Sequence, residues 1–338
     1  MTSVTGHTGK IAVFGANGRL GREIAGAFHQ AGWQVRAVAR HSGSRSPDAG
    51  LPPAIERFEA DLHDREKAIA AAQGCDFIFN ALNPLYPDWS RDVMPLSRNV
   101  AAAAAACGAV HLFPGNVYNF GTTIPVHPTE ETRQSGDHRK AAIRIEAEEF
   151  FRAEAQAGRA KTLVLRAGDF FGGTGTGSWF DLILTAKLAK GKFTYPGPMD
   201  KVHAWAYLPD LARAFVQLAE NAGQCADFEH FHFGGHNVTG AELQAALERV
   251  TAQNLRTASF PWLMVKALGL FSPMMREVGE MAYLWRAPHR LTGEKLAAIA
   301  GPAISTPLEV AAREALTALG RMPQARRGAS VAMPSLAA

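Results

Sequence analysis

Lys10-Ile11-Ala12-Val13-Phe14-Gly15-Ala16-Asn17-Gly18-Arg19-Leu20-Gly21 is the stretch that decides the fold. Five residues of strand length run into a G-x-x-G-x-x-G turn, and apolar residues then recur at Leu20, Ile24, Phe28 and Ala31, before Gly32 stops the helix. A strand, a glycine turn and a helix in this order suit a dinucleotide. The glycines permit a tight bend and close approach of a pyrophosphate, and the helix N-terminus offers unpaired N–H groups and positive dipole.

Outward from that join, the chain keeps the same rhythm to about Arg166. Strands are expected over residues 34–40, 55–60, 76–81, 110–113 and 161–166. The helices between them are expected over 64–73, 91–107 and 140–157, each followed by glycine (Gly74, Gly108, Gly158). The alanine run 101–106 reads as helix packed closely on a sheet. The whole pattern predicts an α/β fold of Rossmann type, a doubly wound parallel sheet with a smaller C-terminal region covering the substrate.

Beyond residue 166 the composition changes. A glycine-rich loop covers 172–177, a helix is expected over 179–190, and a strand over 203–207. Pro209 opens another helix, and Thr239 with Glu242 forms a capping box for the next. Residues 260–285 are rich in Met, Trp and Phe, as in a helical cap over a cleft or in ordinary core helices. The expected division is therefore a dinucleotide-binding domain over 1–170, with parts of 203–235 completing its sheet. A mostly helical substrate-binding region over 171–320 and a disordered tail over 321–338 follow.

Bulk properties narrow the partners. Net charge is only +4 and the cations are scattered, which excludes a nucleic-acid groove. No long apolar run exists, so no membrane partner is expected, and the short polar start lacks a signal-peptide core. Cys75, Cys107 and Cys225 are far apart and suit a reducing compartment. A cytoplasmic protein with a small-molecule substrate is expected, with a homodimer left open.

Taken together, the motifs resemble the short-chain dehydrogenase/reductase superfamily, in its extended and atypical branches (the NAD-dependent epimerase/dehydratase-like, NAD(P)-binding proteins). Gly15-Ala-Asn-Gly18-Arg-Leu-Gly21 is similar to the extended nucleotide fingerprint, and Asp61-Leu62 to the adenine-contacting acid. Asn80-Ala81-Leu82-Asn83 and the segment from Gly115 to Gly121 lie where the resemblance implies strand ends at the cofactor. The segment 165–172, with Gly168 and Asp169, resembles the stretch at the nicotinamide end, and Tyr207-Leu-Pro-Asp210 a downstream V-x-D-L-A motif.

The resemblance implies cofactor contacts from Gly15, Asn17, Gly18, Arg19, Leu20, Gly21, Asp61, Leu62, Asn80, Ala81, Leu82, Asn116, Lys140 and Gly168. The end of the second strand carries Arg40-His41-Ser42 where NAD-specific relatives place a carboxylate. An Arg there holds a 2′-phosphate, so NADP is favoured over NAD.

Catalytic machinery is where the chain departs from the family. Pro114 stands at the serine position. If Lys140 is the family lysine, Gly136 stands at the tyrosine position; if Arg144 is, Lys140 does. A replacement acid would come from Tyr118, Asp137, His138, Asp169, His203 or Tyr207, and Tyr118 with Lys140 are the catalytic candidates. Asn83, Tyr118, Asp169, Trp179, His203 and Tyr207 are the candidate substrate contacts. His230, His232 and His236 lack a carboxylate or thiolate partner in sequence, so no metal is expected. The implied activity is an NADP(H)-binding oxidoreductase or epimerase-like enzyme acting on a small carbonyl or sugar-like substrate. The alternative is a non-catalytic dinucleotide sensor of NmrA-like type.

Overall fold

The structure is a computed structural model, and it describes residues 9–40, 50–302 and 304–323. The expected tail from residue 324 onward, and His41 and Ser42, lie outside the described residues.

In chain order the strands are β1 (Lys10–Phe14), β2 (Gln34–Ala39), β3 (Glu56–Glu59), β4 (Phe77–Asn80), β5 (Val110–Asn116), β6 (Thr162–Ala167), β7 (Asp169–Phe171), β8 (Lys192–Tyr195), β9 (Val202–Tyr207), β10 (Phe228–His232), β11 (His236–Thr239) and β12 (Arg256–Ser259). The helices are α1 (Arg19–Gln30), α2 (Arg65–Ala72), α3 (Trp89–Cys107), α4 (Arg139–Gln156), α5 (Leu208–Glu220), α6 (Gly240–Thr251), α7 (Trp262–Leu268), α8 (Pro273–Glu280), α9 (Glu294–Ala300) and α10 (Leu308–Ala318).

Seven parallel strands form the main sheet in the order β10-β6-β5-β4-β1-β2-β3. Sequence order reverses between β1 and β4, and a crevice at such a switch point is where open α/β sheets bind ligands. The register places Phe14 opposite both Val38 and Asn80, and Asn116 opposite Ala167. The C-terminal ends of the strands thus form one rim.

Each face of the sheet has its own cover. Ile24 and Phe28 of α1 pack with Leu211 and Phe215 of α5 against Val13, Phe79 and Leu165. On the other face Ala68, Ala71 and Ala72 of α2 and Ala103 and Ala104 of α3 pack against Phe14, Val38 and Ile78. The alanine run is therefore a close-packing surface, because small side chains let helix and sheet approach.

Three features differ from the sequence reading. Strand β5 runs three residues further than expected, to Asn116, which carries the rim out to Tyr118. The strand at 202–207 joins a second sheet, β11-β9-β7, while β10 adds the seventh strand to the main one. The expected helix over 179–190 is broken into a wide turn at Phe180–Leu184 and a 3-10 turn at Leu188–Lys190. The break has a local cause: Arg321 takes the carbonyl of Asp181 at 2.5 Å and Thr185 Oγ1 at 2.7 Å, and Thr185 donates to the Phe180 carbonyl. Those carbonyls are then not left to a regular helix.

Region 171–320 accordingly mixes the helices α5–α10 with strands of two small sheets. No described helix is long and apolar enough to cross a membrane. All three cysteines are free. The capping box at Thr239 and Glu242 is present, at 3.1 and 2.8 Å.

Three histidines, His111, His232 and His289, are almost wholly buried, and burial pulls each from the ordinary 6.5 down to about 3. Each stays neutral in the folded chain at pH 5 but takes up a proton on unfolding. Stability is thus complete above about 6.5 and lost as pH falls below it, with a limiting slope of about 4 kcal/mol per pH unit for three protons. The urea midpoint should drop sharply between pH 7 and pH 5. His111→Phe, which removes one such group beside Phe113 and Phe151, should lessen the drop. Equal midpoints at the two pH values would contradict this reading.

Candidate functional site

The bend after β1 is built by its glycines in three different ways. Gly15 has φ +84°, and its N–H and that of Ala16 donate to the Val38 carbonyl at 3.0 and 3.1 Å. A Cβ on Gly15 would lie 2.9 Å from the Ala81 carbonyl oxygen, and one on Gly21 only 2.4 Å from that of Gly15. Those two glycines are required by the protein itself. Gly18 is not: its φ is −73°, and a Cβ there would meet only the Gly15 oxygen at 3.3 Å.

Gly18 is also the N-cap of α1, with no side-chain cap and no acid in the first turn. The helix start is uncapped from within and electrically open to an anion. The space above Gly18, at the uncapped and acid-free start of α1, therefore fits a dinucleotide pyrophosphate, the group that the sequence motif implies.

Around this bend the rim is tied by hydrogen bonds. Ala81 N–H donates to the Phe14 carbonyl at 2.9 Å, and Asn80 Oδ1 accepts from Leu82 N–H at 3.2 Å. Asn116 Oδ1 accepts from Tyr118 N–H at 2.9 Å, while Arg166 holds the Asn116 carbonyl at 2.5 Å. Arg40 is exposed at the end of β2. Asp61 accepts from His63 N–H at 3.2 Å, which with the charge of Arg40 holds its carboxyl below the usual range. Leu62 is buried, its carbonyl held by Asn99 at 2.9 Å, and Asn83 is exposed. Gly168 serves packing, because a Cβ there would lie 2.0 Å from the Ala204 carbonyl oxygen.

Arg19 has a second duty that its place in the motif did not reveal. Its guanidinium donates to Asp181 Oδ2 and to the Gly172 carbonyl, both at 2.6 Å. The same Asp181 oxygen accepts from Gly177 and Ser178 N–H at 3.1 and 3.0 Å, and Glu23 accepts from Thr174 N–H at 3.1 Å. The glycine-rich loop 172–177 is thereby tied down beside the first turns of α1. Asp181 and Glu23 carried no sequence signal, since their partners are far along the chain.

At the other end of the rim the chemistry gathers around two tyrosines. Tyr118 and Tyr86 share a hydrogen bond between hydroxyls at 2.9 Å. Burial pushes the Tyr86 phenol up to about 12, and burial with the nearby Tyr86 and the Asp169 carboxylate raises Tyr118 well above its ordinary value. Lys140 is buried, with its Nζ between Glu277 and Glu280 of α8 and 5.1 Å from the Tyr86 ring centroid.

One turn further along α4, Arg144 is buried, donates to the Pro114 carbonyl at 2.5 Å and lies 4.4 Å over the Phe113 ring. Burial pulls its guanidinium down to about 10. So Arg144 is the cation against β5, and Lys140 the one facing α8.

His138 caps α4, and its Nε2 pairs with the Tyr283 hydroxyl at 2.9 Å. Asp137 is occupied by Thr122 N–H and hydroxyl. Asp169 pairs with His203 Nε2 at 2.8 Å, and His203 stacks on Trp285 at 4.6 Å and 6°. Trp179 meets Trp285, Phe260 and Trp262 within 5.9 Å, so the aromatic segment does form a wall beside this pair. Tyr207 donates its hydroxyl to Glu314 and packs on Phe171.

A hollow of about 480 Å³ lies next to the cluster, bounded by Thr122, Thr123, Ile124, Tyr283, Arg286 and Ala287. Sequence reasoning missed Tyr86, Tyr283, Glu277 and Glu280. One signal was available in the sequence, its having only five tyrosines; in the fold, burial raises Tyr86, Tyr118, Tyr195 and Tyr283, and the Asp169 carboxylate adds to each.

Among the described residues no group of three His, Cys, Asp or Glu is placed to hold a metal ion. His230 instead pairs with Glu148 at 3.1 Å.

Comparison with known proteins agrees with this fold. The profile of the NAD dependent epimerase/dehydratase family matches residues 11–234. A UDP-glucose-4-epimerase from Stenotrophomonas maltophila, solved with bound NAD and formylated UDP-arabinopyranose, superposes with TM-score 0.73 at 17% identity, over 93% of this chain and 98% of its own. A nucleoside-diphosphate-sugar epimerase from Pseudomonas aeruginosa superposes with TM-score 0.71 at 18% identity, with the same coverage. In sequence, the chain is 34% identical over 107 residues to the NmrA-like family domain-containing oxidoreductase FrzB of a Cladobotryum species. That match spans 30% of this chain and 32% of the relative.

Proposed function

Because the chain belongs to the NAD dependent epimerase/dehydratase family, we propose that it binds NADP(H) across the β1–β4 switch point and acts as an oxidoreductase or epimerase-like enzyme on a small carbonyl or sugar-like substrate. The observation that carries this is the start of α1: uncapped, free of acid, and fronted by a Gly18 whose missing Cβ no protein contact requires. When bound, the dinucleotide supplies or accepts hydride at its nicotinamide ring.

What the chain itself supplies is position and a proton. The backbone N–H groups of Asn17, Arg19 and Leu20 would hold the pyrophosphate, the Gly18 N–H being taken by the Gly15 carbonyl at 3.0 Å. Arg40 would meet the 2′-phosphate, where a carboxylate would repel it. Both Tyr118 and Tyr86 keep their protons at neutral pH, since their phenols are shifted upward. That suits a donor to a substrate oxygen, in the direction of reduction. Tyr118 Oη would give the proton and Tyr86 Oη, 2.9 Å away, would pass its own on. Lys140, 5.1 Å from the Tyr86 ring centroid, is itself paired with Glu277 and Glu280, so its part would be to hold α8 against this pair of phenols. Arg144, braced on the Pro114 carbonyl, would stand in for the family lysine toward the nicotinamide ribose.

A second reading, a non-catalytic dinucleotide sensor, is favoured by Pro114 at the serine position and by the two carboxylates that already occupy Lys140. Turnover separates the two. NADPH oxidation over a panel of carbonyl compounds and nucleotide sugars is expected for the enzyme, and binding without consumption for the sensor.

Cofactor choice is tested by Arg40→Asp. Affinity for NADPH should fall about 10-fold or more, the value of one lost charge-assisted phosphate contact plus repulsion. NADH affinity should hold or improve. Equal effects on both in fluorescence titration would contradict the phosphate assignment.

A further inference from the structure

Away from the site, the α7–α8 hairpin turns an apolar surface outward. Leu263, Met264, Leu268, Leu270 and Phe271 are exposed, Leu263 and Phe271 to 86% and 88%. The hairpin is nonetheless fixed: Val265 is buried, Arg276 Nε donates to the Gly269 carbonyl at 3.2 Å, and Ser272 caps α8. Exposed apolar side chains this closely spaced on an ordered element mark a surface that is covered by something.

Charge identifies the cover. From Arg249 to Arg276 the chain contains four cations (Arg249, Arg256, Lys266, Arg276) and no Asp or Glu. Arg249 pairs with Glu309 at 2.6 Å. Arg256, Lys266 and Arg276 are exposed and have no carboxylate partner among the described residues. A second copy of the chain is a poor fit, because a two-fold contact would set the same cations against each other.

We propose that this hairpin seats on an anionic lipid surface. Leu270 and Phe271 at its turn enter the boundary between headgroups and acyl chains, and Lys266 and Arg276 of the hairpin meet headgroup phosphates. Such a contact needs no spanning helix, so the sequence, which lacks an apolar run of membrane length, could not announce it. The opposite side of the hairpin carries Glu277 and Glu280, the partners of Lys140, and the lipid-facing element is therefore also the cover of the tyrosine cluster.

Vesicle flotation of the full chain tests this. Binding is expected to equimolar phosphatidylcholine and phosphatidylglycerol, to weaken with salt, and to be absent on phosphatidylcholine alone. Leu270→Ser with Phe271→Ser should lower the bound fraction at least roughly tenfold, and Lys266→Glu should lower it as well. All three side chains are exposed, so melting temperature should not change. No flotation of the wild-type chain, equal flotation on neutral vesicles, or an unaffected serine variant would overturn the proposal. So would conversion of a dimer to a monomer by the serine changes without any vesicle binding, which would give the face to a second copy.

Discussion

Gly18→Val should leave the chain folded and reduce its affinity for NADPH by about 100-fold or more, near 3 kcal/mol on the scale of 1.4 kcal/mol per decade. The backbone at Gly18 is in an ordinary region, with φ −73°, and a Cβ there would meet only the Gly15 oxygen at 3.3 Å. The substitution costs the fold little, of the order of 1 kcal/mol for a poorer N-cap residue. A branched side chain would, however, fill the space in front of the α1 amides and hold the pyrophosphate away from them. Gly21→Ala cannot serve the same purpose, because its Cβ would lie 2.4 Å from a backbone oxygen and the fold would fail first. Calorimetric titration of the Gly18 variant, with a melting curve to establish folding, makes the check. Undiminished affinity in a folded variant would remove the pyrophosphate from this bend.

Glu148→Ala should destabilise the chain by about 3–5 kcal/mol, the range for stranding one partner of a buried ion pair. Glu148 and Arg166 are each about 2% exposed and meet at 2.8 Å, and Glu148 also accepts from Gln134 at 3.0 Å and pairs with His230. Despite the burial, which works the other way, Arg166 and His230 hold its carboxyl far below the usual range. Removing it leaves the Arg166 guanidinium buried without its counter-charge. Because Arg166 also carries the Asn116 carbonyl at the rim, the loss should extend to cofactor binding. Urea denaturation read by tryptophan fluorescence gives the size of the effect. The double change Glu148→Leu with Arg166→Met should recover much of the stability, since no charge is then left stranded. A single variant as stable as the wild type would mean that the pair contributes nothing.

Much of the architecture was legible in the sequence because it is specified locally. Apolar runs of strand length, helix periodicity and a glycine past each helix end recur within short windows, and the parallel sheet follows from their alternation. The glycine turn was legible for the same reason. The broken segment 180–190 was not, because its hydrogen bonds go to Arg321, and the latch on Arg19 was not, because Asp181 is 162 residues away.

The candidate chemistry divides along the same line. That the usual serine and tyrosine are missing could be read by counting from Val117 and Lys140. What stands in their place could not, since Tyr86, Glu277, Glu280 and Tyr283 reach Tyr118, Lys140 and His138 only through tertiary packing. On α4, Arg144 lies against β5 and Lys140 turns toward α8, a placement that spacing alone left open.

The measurement that bears most directly on all of this is calorimetric titration of NADPH and NADH into the full wild-type chain. The account predicts saturable one-to-one binding, tighter for NADPH. A folded protein that gives no binding heat with either dinucleotide, and no change in melting temperature at millimolar concentrations of them, would contradict it.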